Sequence, residues 1–211
     1  MPYIRGKQTG DSFMITRTAI ATAALVLAAA CGQESAEPQE IPETGAPLPS
    51  PSELPGPDDG VYPSMMRATA SIIGAEGTEI GTANFLDGPN GELIRVELSE
   101  GALEPGWHGI HLHAVGTCED VGAFKESGGH QGKHDGGHGL LNPKGPEAGD
   151  LPNIWVAADG AAGYETFTRL TGLDALLDDD GAAIIIHESE DDHMTQPIGG
   201  AGARVACGVI K

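Results

Sequence analysis

The sequence predicts an all-β fold, a sandwich or barrel of short strands joined by long loops, over residues 66–211. Apolar runs such as "MRATASIIG", "EIGTANFLD" and "ELIRVELSE" have strand length and are separated by turn-forming stretches such as "DGPNGE". The chain contains 32 glycines and only 4% aromatic residues, a composition that favours turns and tight loops over long helices. Many short strands separated by turn signals are typical of a β-sandwich or barrel.

Eight segments have this strand pattern. They are residues 66–74, 79–87, 92–100, 107–113, 154–158, 164–168, 182–187 and 203–210. Two long segments interrupt them, a glycine-rich insertion at residues 114–152 and a loop at residues 188–202. The stretch "TGLDALLDD" allows one helical turn between the sixth and seventh strands. We therefore expect eight strands with two long loops that carry function.

Residues 1–30 have the pattern of a secretory signal peptide. The stretch "MITRTAIATAALVLAAACG" begins at Met14, carries Arg17 ahead of an apolar core, and has small residues before Cys31. Met14 is therefore a candidate for the true start, and the apolar core is too short for a comfortable membrane span. The ending "LAAAC" resembles a bacterial lipoprotein cleavage box, which implies that Cys31 becomes a lipidated N-terminus. An ordinary cleaved signal with an incidental cysteine is the alternative.

Residues 31–65 are rich in proline, glutamate and serine, so they bury too little apolar surface to offset the entropy of ordering. We expect a disordered tether that leads to a folded domain at residues 66–211. Signal, lipid and tether together predict an exported protein of the periplasm that meets the membrane only through an N-terminal lipid anchor.

The formal net charge of the chain is −20. Binding to nucleic acid depends on lysine and arginine facing phosphate, so the composition excludes a nucleic-acid-binding function. An acidic surface of this kind keeps a protein soluble through self-repulsion.

The histidines of the chain all lie between residues 108 and 193. In "HGIHLH", His111 and His113 alternate along a predicted strand, so both imidazoles point to the same face. The strand end "IIIH" supplies His187. The glycine-rich insertion supplies His130, His134, His138, Glu147 and Asp150. Imidazole binds copper and zinc well and carboxylates complete zinc sites, so three separate segments together predict a metal site.

Six motifs of residues 66–211 occur in the order found in one protein family. They are "HGIHLH", "GGH", "HGLLNP", "AGDLPN", "IIIHESEDD" and "GGAGARVACGVI". Together they resemble bacterial Cu,Zn superoxide dismutase. The resemblance implies an eight-stranded Greek-key β-barrel, one copper and one zinc per chain, and superoxide as the substrate.

The resemblance also assigns roles to single residues. It implies that copper is held by His111, His113, His130 and His187, with His130 bridging copper to zinc. Arg204 is implied to guide the substrate anion, and His108 to tie backbone to backbone without binding metal. Cys118 and Cys207 are implied to form a disulfide. If Cys31 is lipidated, these two cysteines remain to pair, which suits an oxidising compartment.

The zinc ligands depart from the family pattern. His130, His138 and Asp150 match, but Glu147 stands where the family has a third histidine. Glutamate oxygen can bind zinc, so Glu147 is one candidate ligand. His134 in the same loop is a second candidate, and weak or absent zinc binding is the third interpretation. Asp191 matches an aspartate that joins a copper histidine to a zinc histidine, here His111 to His138; an exposed acid is the alternative.

These expectations define an exported superoxide dismutase that protects the cell envelope. The alternative is a copper-binding protein of the same fold, with a degraded zinc site, that buffers copper with little turnover. Arg204 and a bridging His130 favour the enzyme, because a copper carrier needs neither. The sequence leaves monomer and homodimer both open.

Overall fold

The computed structural model describes residues 66–211. The signal peptide of residues 1–30, the lipidation site Cys31 and the tether of residues 31–65 lie outside the described residues. Within residues 66–211, none of the helices has the length and apolar character that a membrane crossing requires.

Strands make up nearly all of the regular structure, so the all-β prediction is confirmed. The described chain forms β1 (Met66–Gly74), β2 (Glu79–Gly88), β3 (Gly91–Leu98), β4 (Gly106–His108), β5 (Ile110–His113), β6 (Ile154–Val156), β7 (Ala162–Thr168), α1 (Leu173–Leu176), β8 (Ala183–His187) and β9 (Arg204–Val209). Seven strands form one antiparallel sheet in the order β5-β8-β9-β1-β2-β3-β7, and β4 pairs with β6. The short α1 lies within the stretch expected to hold a helical turn.

The prediction of eight strands is wrong by one in residues 66–211. The single strand expected at residues 107–113 is divided at Gly109 into β4 and β5, which belong to different sheets. The backbone of Gly109 pairs with the end of β8 and with the loop that follows it. Its N–H donates to Ser189 O at 2.8 Å, and its carbonyl oxygen accepts from His187 N at 2.8 Å. A Cβ at Gly109 would lie 2.9 Å from the Cβ of Ala201, so only glycine fits this crossing.

The main core lies on the inner face of the large sheet. Buried and partly exposed residues alternate along β3, as expected for a sheet with one face packed and one face wet. On β8 all five residues are buried, because the glycine-rich insertion covers its outer face. Ile185 packs there with Phe124 and the two sulfur-bearing residues Cys118 and Cys207.

A disulfide joins Cys118 of the insertion to Cys207 of β9, with Cα atoms 5.9 Å apart, so the predicted pairing is confirmed. The bridge closes a loop with a sequence separation of 89 residues. On the chain-entropy model such a bridge contributes about 4 to 5 kcal/mol, as an upper figure. It holds the insertion against the sheet and so fixes the loop that carries His130, His134 and His138.

Candidate metal centre

Four buried histidines meet beside the paired strands β5 and β8. His111 and His113 come from β5, His187 ends β8, and a backbone bridge between His113 and His130 brings in the insertion. One ring nitrogen of each of the four lies within 4.8 Å of the others, and all four side chains are buried. We call His111, His113, His130 and His187 the all-histidine cluster.

Each member of the all-histidine cluster has one ring nitrogen that is buried and has no hydrogen-bond partner among residues 66–211. These atoms are His111 Nδ1, His113 Nε2, His130 Nε2 and His187 Nε2. Buried nitrogen atoms are nearly always paired in native structures, so four orphans at one point indicate a missing ligand partner. Four imidazole nitrogens form the donor set that Cu(II) favours, and the cluster therefore fits copper.

The other ring nitrogens are held by neighbouring groups, and this fixes each ring. His113 Nδ1 lies 3.0 Å from Gly128 O, and His187 Nδ1 lies 3.1 Å from Gly202 O. Hydrogen bonds of this kind determine which ring nitrogen carries the proton and leave the opposite nitrogen free to bind a metal.

Burial lowers the pKa values of three members of the all-histidine cluster. It lowers the pKa of His111 to about 4 and that of His187 to about 3, and it holds the pKa of His113 well below its usual value. The charge of His130 lowers all three pKa values further, whereas a hydrogen bond to each ring partly opposes the shift. Metal binding requires neutral imidazole, so these side chains need not lose protons before they bind a metal at neutral pH.

A second group of buried ligands lies directly beside the first. His111, His130, His138 and Asp150 also have ligand atoms within 4.8 Å of one another. Asp150 Oδ1 lies 2.8 Å from His138 Nδ1 and 3.1 Å from His130 Nδ1. Its Oδ2 accepts from the backbone of Gly139 at 2.7 Å and of Glu147 at 2.9 Å. One oxygen of Asp150 is therefore fixed by the loop, while the other faces the imidazoles.

Glu147 points into this second group. It is 2% exposed, and its Oε2 lies 3.0 Å from His130 Nδ1 in a geometry that makes no hydrogen bond. Its Oε1 accepts from the backbone of His134 at 3.1 Å, which holds the carboxylate in place. A carboxylate oxygen and an imidazole nitrogen this close without a shared proton are arranged as ligands of a common ion. We call His130, His138, Glu147 and Asp150 the mixed cluster; its nitrogen and oxygen donors fit zinc.

The ring of His134 lies outside the mixed cluster. It is exposed, with Nδ1 3.2 Å from Gly132 O and Nε2 3.1 Å from Lys144 O. These two carbonyl groups raise the pKa of His134 and occupy both nitrogens. Of the two candidates for the fourth ligand, the structure brings Glu147 to the cluster and leaves His134 at the surface.

Asp191 joins the two clusters. Its Oδ2 lies 2.8 Å from His111 Nε2, and its Oδ1 lies 3.1 Å from His138 Nε2. Burial works against its charge, but the hydrogen bonds with both histidines outweigh burial and hold the pKa of Asp191 below its usual range. Burial likewise opposes the charge on His138, yet hydrogen bonds with Asp150 and Asp191 raise its pKa to about 9.

Asn153 holds Asp191 in place, a contact that the sequence analysis missed. Its side chain donates to Asp191 O at 2.8 Å and accepts from Asp191 N at 2.9 Å. The sequence contains an indication of this contact, because Asn153 ends the motif "AGDLPN" that also contains Asp150. One short segment thus supplies Asp150 to the mixed cluster and Asn153 to position Asp191, which links both clusters.

His108 lies outside both clusters and connects two backbone segments. Its Nδ1 lies 2.6 Å from His187 O and its Nε2 lies 2.8 Å from Glu104 O. The imidazole therefore ties the end of β8 to the loop before β4, where the sequence analysis expected a backbone tie.

Arg204, the first residue of β9, lies beside the all-histidine cluster. Its guanidinium donates to Phe124 O at 2.6 Å, to Ser127 Oγ at 3.0 Å and to Gly128 O at 2.7 Å. Gly128 O is also the atom that holds His113 Nδ1, so one carbonyl positions both the arginine and a cluster histidine. Burial lowers the pKa of Arg204, but guanidinium remains charged at any physiological pH.

An all-β sandwich that carries two adjacent metal-ligand clusters, with one imidazole common to both, defines a binuclear metalloprotein of the copper–zinc class. The comparison with known families agrees. Residues 79–210 match the family model for copper/zinc superoxide dismutase. The chain belongs to the copper/zinc superoxide dismutase family, as its sequence motifs indicated.

Relatives and solved structures support this assignment. The chain is 48% identical over 153 residues to a Cu-Zn superoxide dismutase of Caulobacter vibrioides, which covers 68% of this chain and 85% of the relative. A crystal structure of the superoxide dismutase-like protein from Bacillus subtilis superposes with a TM-score of 0.59 at 35% identity, over 67% of this chain and 96% of that one. The Cu/Zn superoxide dismutase of Brucella abortus gives a TM-score of 0.56 at 28% identity, over 69% and 100%.

Proposed function

We propose that this protein dismutates superoxide to dioxygen and hydrogen peroxide at a copper site with an adjacent zinc site. The observation that carries the proposal is the set of four unpartnered imidazole nitrogens that converge in the all-histidine cluster. One of them belongs to His130, whose Nδ1 faces the carboxylates of the mixed cluster. When bound, copper supplies alternating one-electron redox chemistry, whereas zinc, which has no redox chemistry, supplies fixed charge and geometry.

The unpartnered nitrogens indicate which residues would hold copper, namely His111, His113, His130 and His187. The residues that would hold zinc are His130, His138, Asp150 and Glu147. Support for Glu147 comes from its burial and from its contact with His130 Nδ1.

His130 and Arg204 act on the substrate and its protons. Hydrogen peroxide needs two protons, and His130 Nε2 would hold and release one of them whenever it is not bound to copper. Arg204 holds the superoxide anion beside the copper ligands. Guanidinium has five N–H donors, and the contacts of Arg204 with Phe124, Ser127 and Gly128 leave others free to bind an anion.

We also propose the cellular setting that the sequence suggests. Residues 1–30 act as a signal peptide, Cys31 carries the lipid, and residues 31–65 tether the enzyme domain in the periplasm. The protein then protects the cell envelope. The disulfide between Cys118 and Cys207 supports export, because such bonds persist in oxidising compartments.

A homodimer is proposed through the outer face of β4 and β6. Trp107 and Trp155 are Cα partners on these strands, each is 51% exposed, and their ring centroids lie 5.0 Å apart. Exposed aromatic pairs are enriched at interfaces. Analytical sedimentation of the wild type and of Trp107→Ser tests this proposal, with a dimer mass expected for the wild type and a lower mass for the variant. Equal masses for the two proteins would contradict the proposed interface.

Metal content and activity measured on the same sample test the proposed function. Residues 32–211 are expressed, reconstituted with copper and zinc, and assayed for metal per chain and for superoxide dismutation. Copper and zinc near one each with activity are the expected result. Copper at one per chain without activity would contradict the proposal and favour a copper-buffering protein.

A further inference from the structure

Glu92 is a buried acid that the metal centre does not use. It lies near the start of β3 and is 0% exposed, and neither Oε1 nor Oε2 has a hydrogen-bond partner among residues 66–211. An unpaired buried carboxylate is strongly unfavourable, so such a group is paired, protonated or bound to a cation in a native protein. The all-histidine and mixed clusters draw their ligands from other segments, so Glu92 requires a separate explanation.

Two further acids act on this carboxyl group. Asp87 on β2 is the Cα partner of Glu92 across the strand pair, so both side chains point to the same face of the sheet. Carboxylates directly opposite each other on neighbouring strands repel. Burial, followed by the charges of Asp87 and Asp174, raises the pKa of Glu92 to about 7. Burial and repulsion together therefore disfavour the ionised form.

Further oxygen atoms come from the segment that connects β7 to α1. The hydroxyl of Thr171 is buried and has no hydrogen-bond partner within the described part of the chain. Asp174 Oδ1 and Asp87 Oδ1 lie 3.1 Å and 3.8 Å from the position that a Cβ on Gly172 would take, so the two carboxylates approach each other across this glycine. The two acids that act on Glu92 and the unpartnered hydroxyl of Thr171 are oxygen donors, and hard cations such as calcium prefer oxygen ligands.

We propose that this end of the sheet binds a calcium ion through the carboxylates of Glu92, Asp87 and Asp174 and the hydroxyl of Thr171. The ion would satisfy both oxygens of Glu92 and the Thr171 hydroxyl and would cancel the repulsion among the acids. Calcium fits better than magnesium, because magnesium keeps several waters and a fully buried carboxylate leaves little room for them.

Binding needs a small rearrangement. Within residues 66–211, each group of three or more ligand residues whose atoms lie within 4.8 Å of one another contains histidines and lacks Glu92, so calcium has to draw Asp87 or Asp174 toward Glu92. Asp174 is able to move, since it is exposed and α1 has only four residues. We expect an affinity of about 10⁻⁴ to 10⁻³ M, the range of extracellular calcium modules.

Thermal unfolding of the copper- and zinc-loaded protein tests the site without relying on activity. Calcium chloride is varied from about 0.01 to about 10 mM, with magnesium chloride as the comparison salt. Calcium is expected to raise the Tm by at least about 3 °C and magnesium by less. Calorimetric titration with calcium gives the stoichiometry, expected at one ion per chain, and metal analysis checks that copper and zinc stay bound.

Three variants assign the response to these residues. Glu92→Gln, Thr171→Val and Asp174→Asn are each expected to reduce or remove the calcium-dependent rise. Glu97→Gln is the matched control, because Glu97 lies on the same strand but on its partly exposed face. Asp174 is exposed, so its variant keeps the test valid if the change at Glu92 prevents folding.

Two outcomes overturn the proposal. The first is a calcium response that Glu92→Gln and Asp174→Asn leave intact, which would place the ion elsewhere. The second is a wild type without a calcium response. A Glu92→Gln variant whose Tm no longer falls as the pH rises from about 5 to 8 would then show that Glu92 is simply held neutral by a proton. Neither result bears on superoxide dismutation.

Discussion

The all-histidine cluster and the mixed cluster share His130 but are built in different ways. Most of the all-histidine cluster is anchored by sheet residues, with His111 and His113 on β5 and His187 at the end of β8. The mixed cluster lies in the glycine-rich insertion and is held by hydrogen bonds that Asp150 accepts from the backbone of Gly139 and Glu147. One cluster therefore takes its geometry from the sheet, and the other depends on contacts within its own loop.

The two clusters also differ in charge. Burial lowers the pKa values of His111, His113 and His187, so these side chains are neutral and open to a metal. In the mixed cluster, hydrogen bonds outweigh burial, raise the pKa of His138 to about 9 and hold that of Asp150 below its usual range. A proton can therefore stand in for a metal ion between His138 and Asp150. The all-histidine cluster has no such substitute.

The largest effect is expected when one histidine of the sheet is replaced. His187→Ala should lower copper affinity and superoxide dismutation by at least about 100-fold, because changes even outside the ligand shell cost 10 to 100-fold. Zinc content should stay near that of the wild type, since His187 contributes nothing to the mixed cluster. Metal analysis and activity are measured on the same sample. Equal loss of copper and zinc would show that the two clusters do not bind independently.

The next effect separates the two candidates for the fourth zinc ligand. Glu147→Gln removes the charged oxygen beside His130 and should lower zinc affinity by about 10 to 100-fold, measured by competition with a chelator. His134→Ala is the matched control from the same loop and should leave zinc affinity within about twofold, because an exposed ring makes only surface contacts. The reverse ranking would mean that His134 enters the cluster when zinc binds.

The alternation of residues along a strand predicts the ligands that lie on the sheet, but no such rule predicts which side chains of the insertion reach the site. The alternation of His111 and His113 follows from strand geometry, so their common face could be predicted from two residues. Glu147 and His134 lie in one glycine-rich loop whose path depends on contacts with Asp150, so the sequence alone left both open. The division at Gly109 was missed for a similar reason, because its cause is contact with the distant Ala201.

A smaller effect is expected at the arginine beside the all-histidine cluster. Arg204→Gln should lower kcat/KM by about 10-fold and weaken azide binding to the copper-loaded protein, since one charge-assisted contact with the anion is lost. Copper and zinc contents should not change. Arg169→Gln, an exposed arginine on another segment, is the control and should leave both readouts unaltered. An azide affinity that is unchanged in Arg204→Gln would show that Arg204 does not bind the anion.

The smallest expected effect is a pH dependence that belongs to the mixed cluster alone. The pKa of His138 is raised from 6.5 to about 9 in the folded chain, so its contribution to stability is complete below about pH 6.5 and is lost as the pH rises through 9. The metal-free protein should therefore lose about 4 °C in Tm between these pH values. Zinc should flatten this dependence, because it replaces the proton between His138 and Asp150. A metal-free protein whose Tm is constant over this range would show that protons do not substitute for zinc, and the contrast between the clusters would then rest on geometry alone.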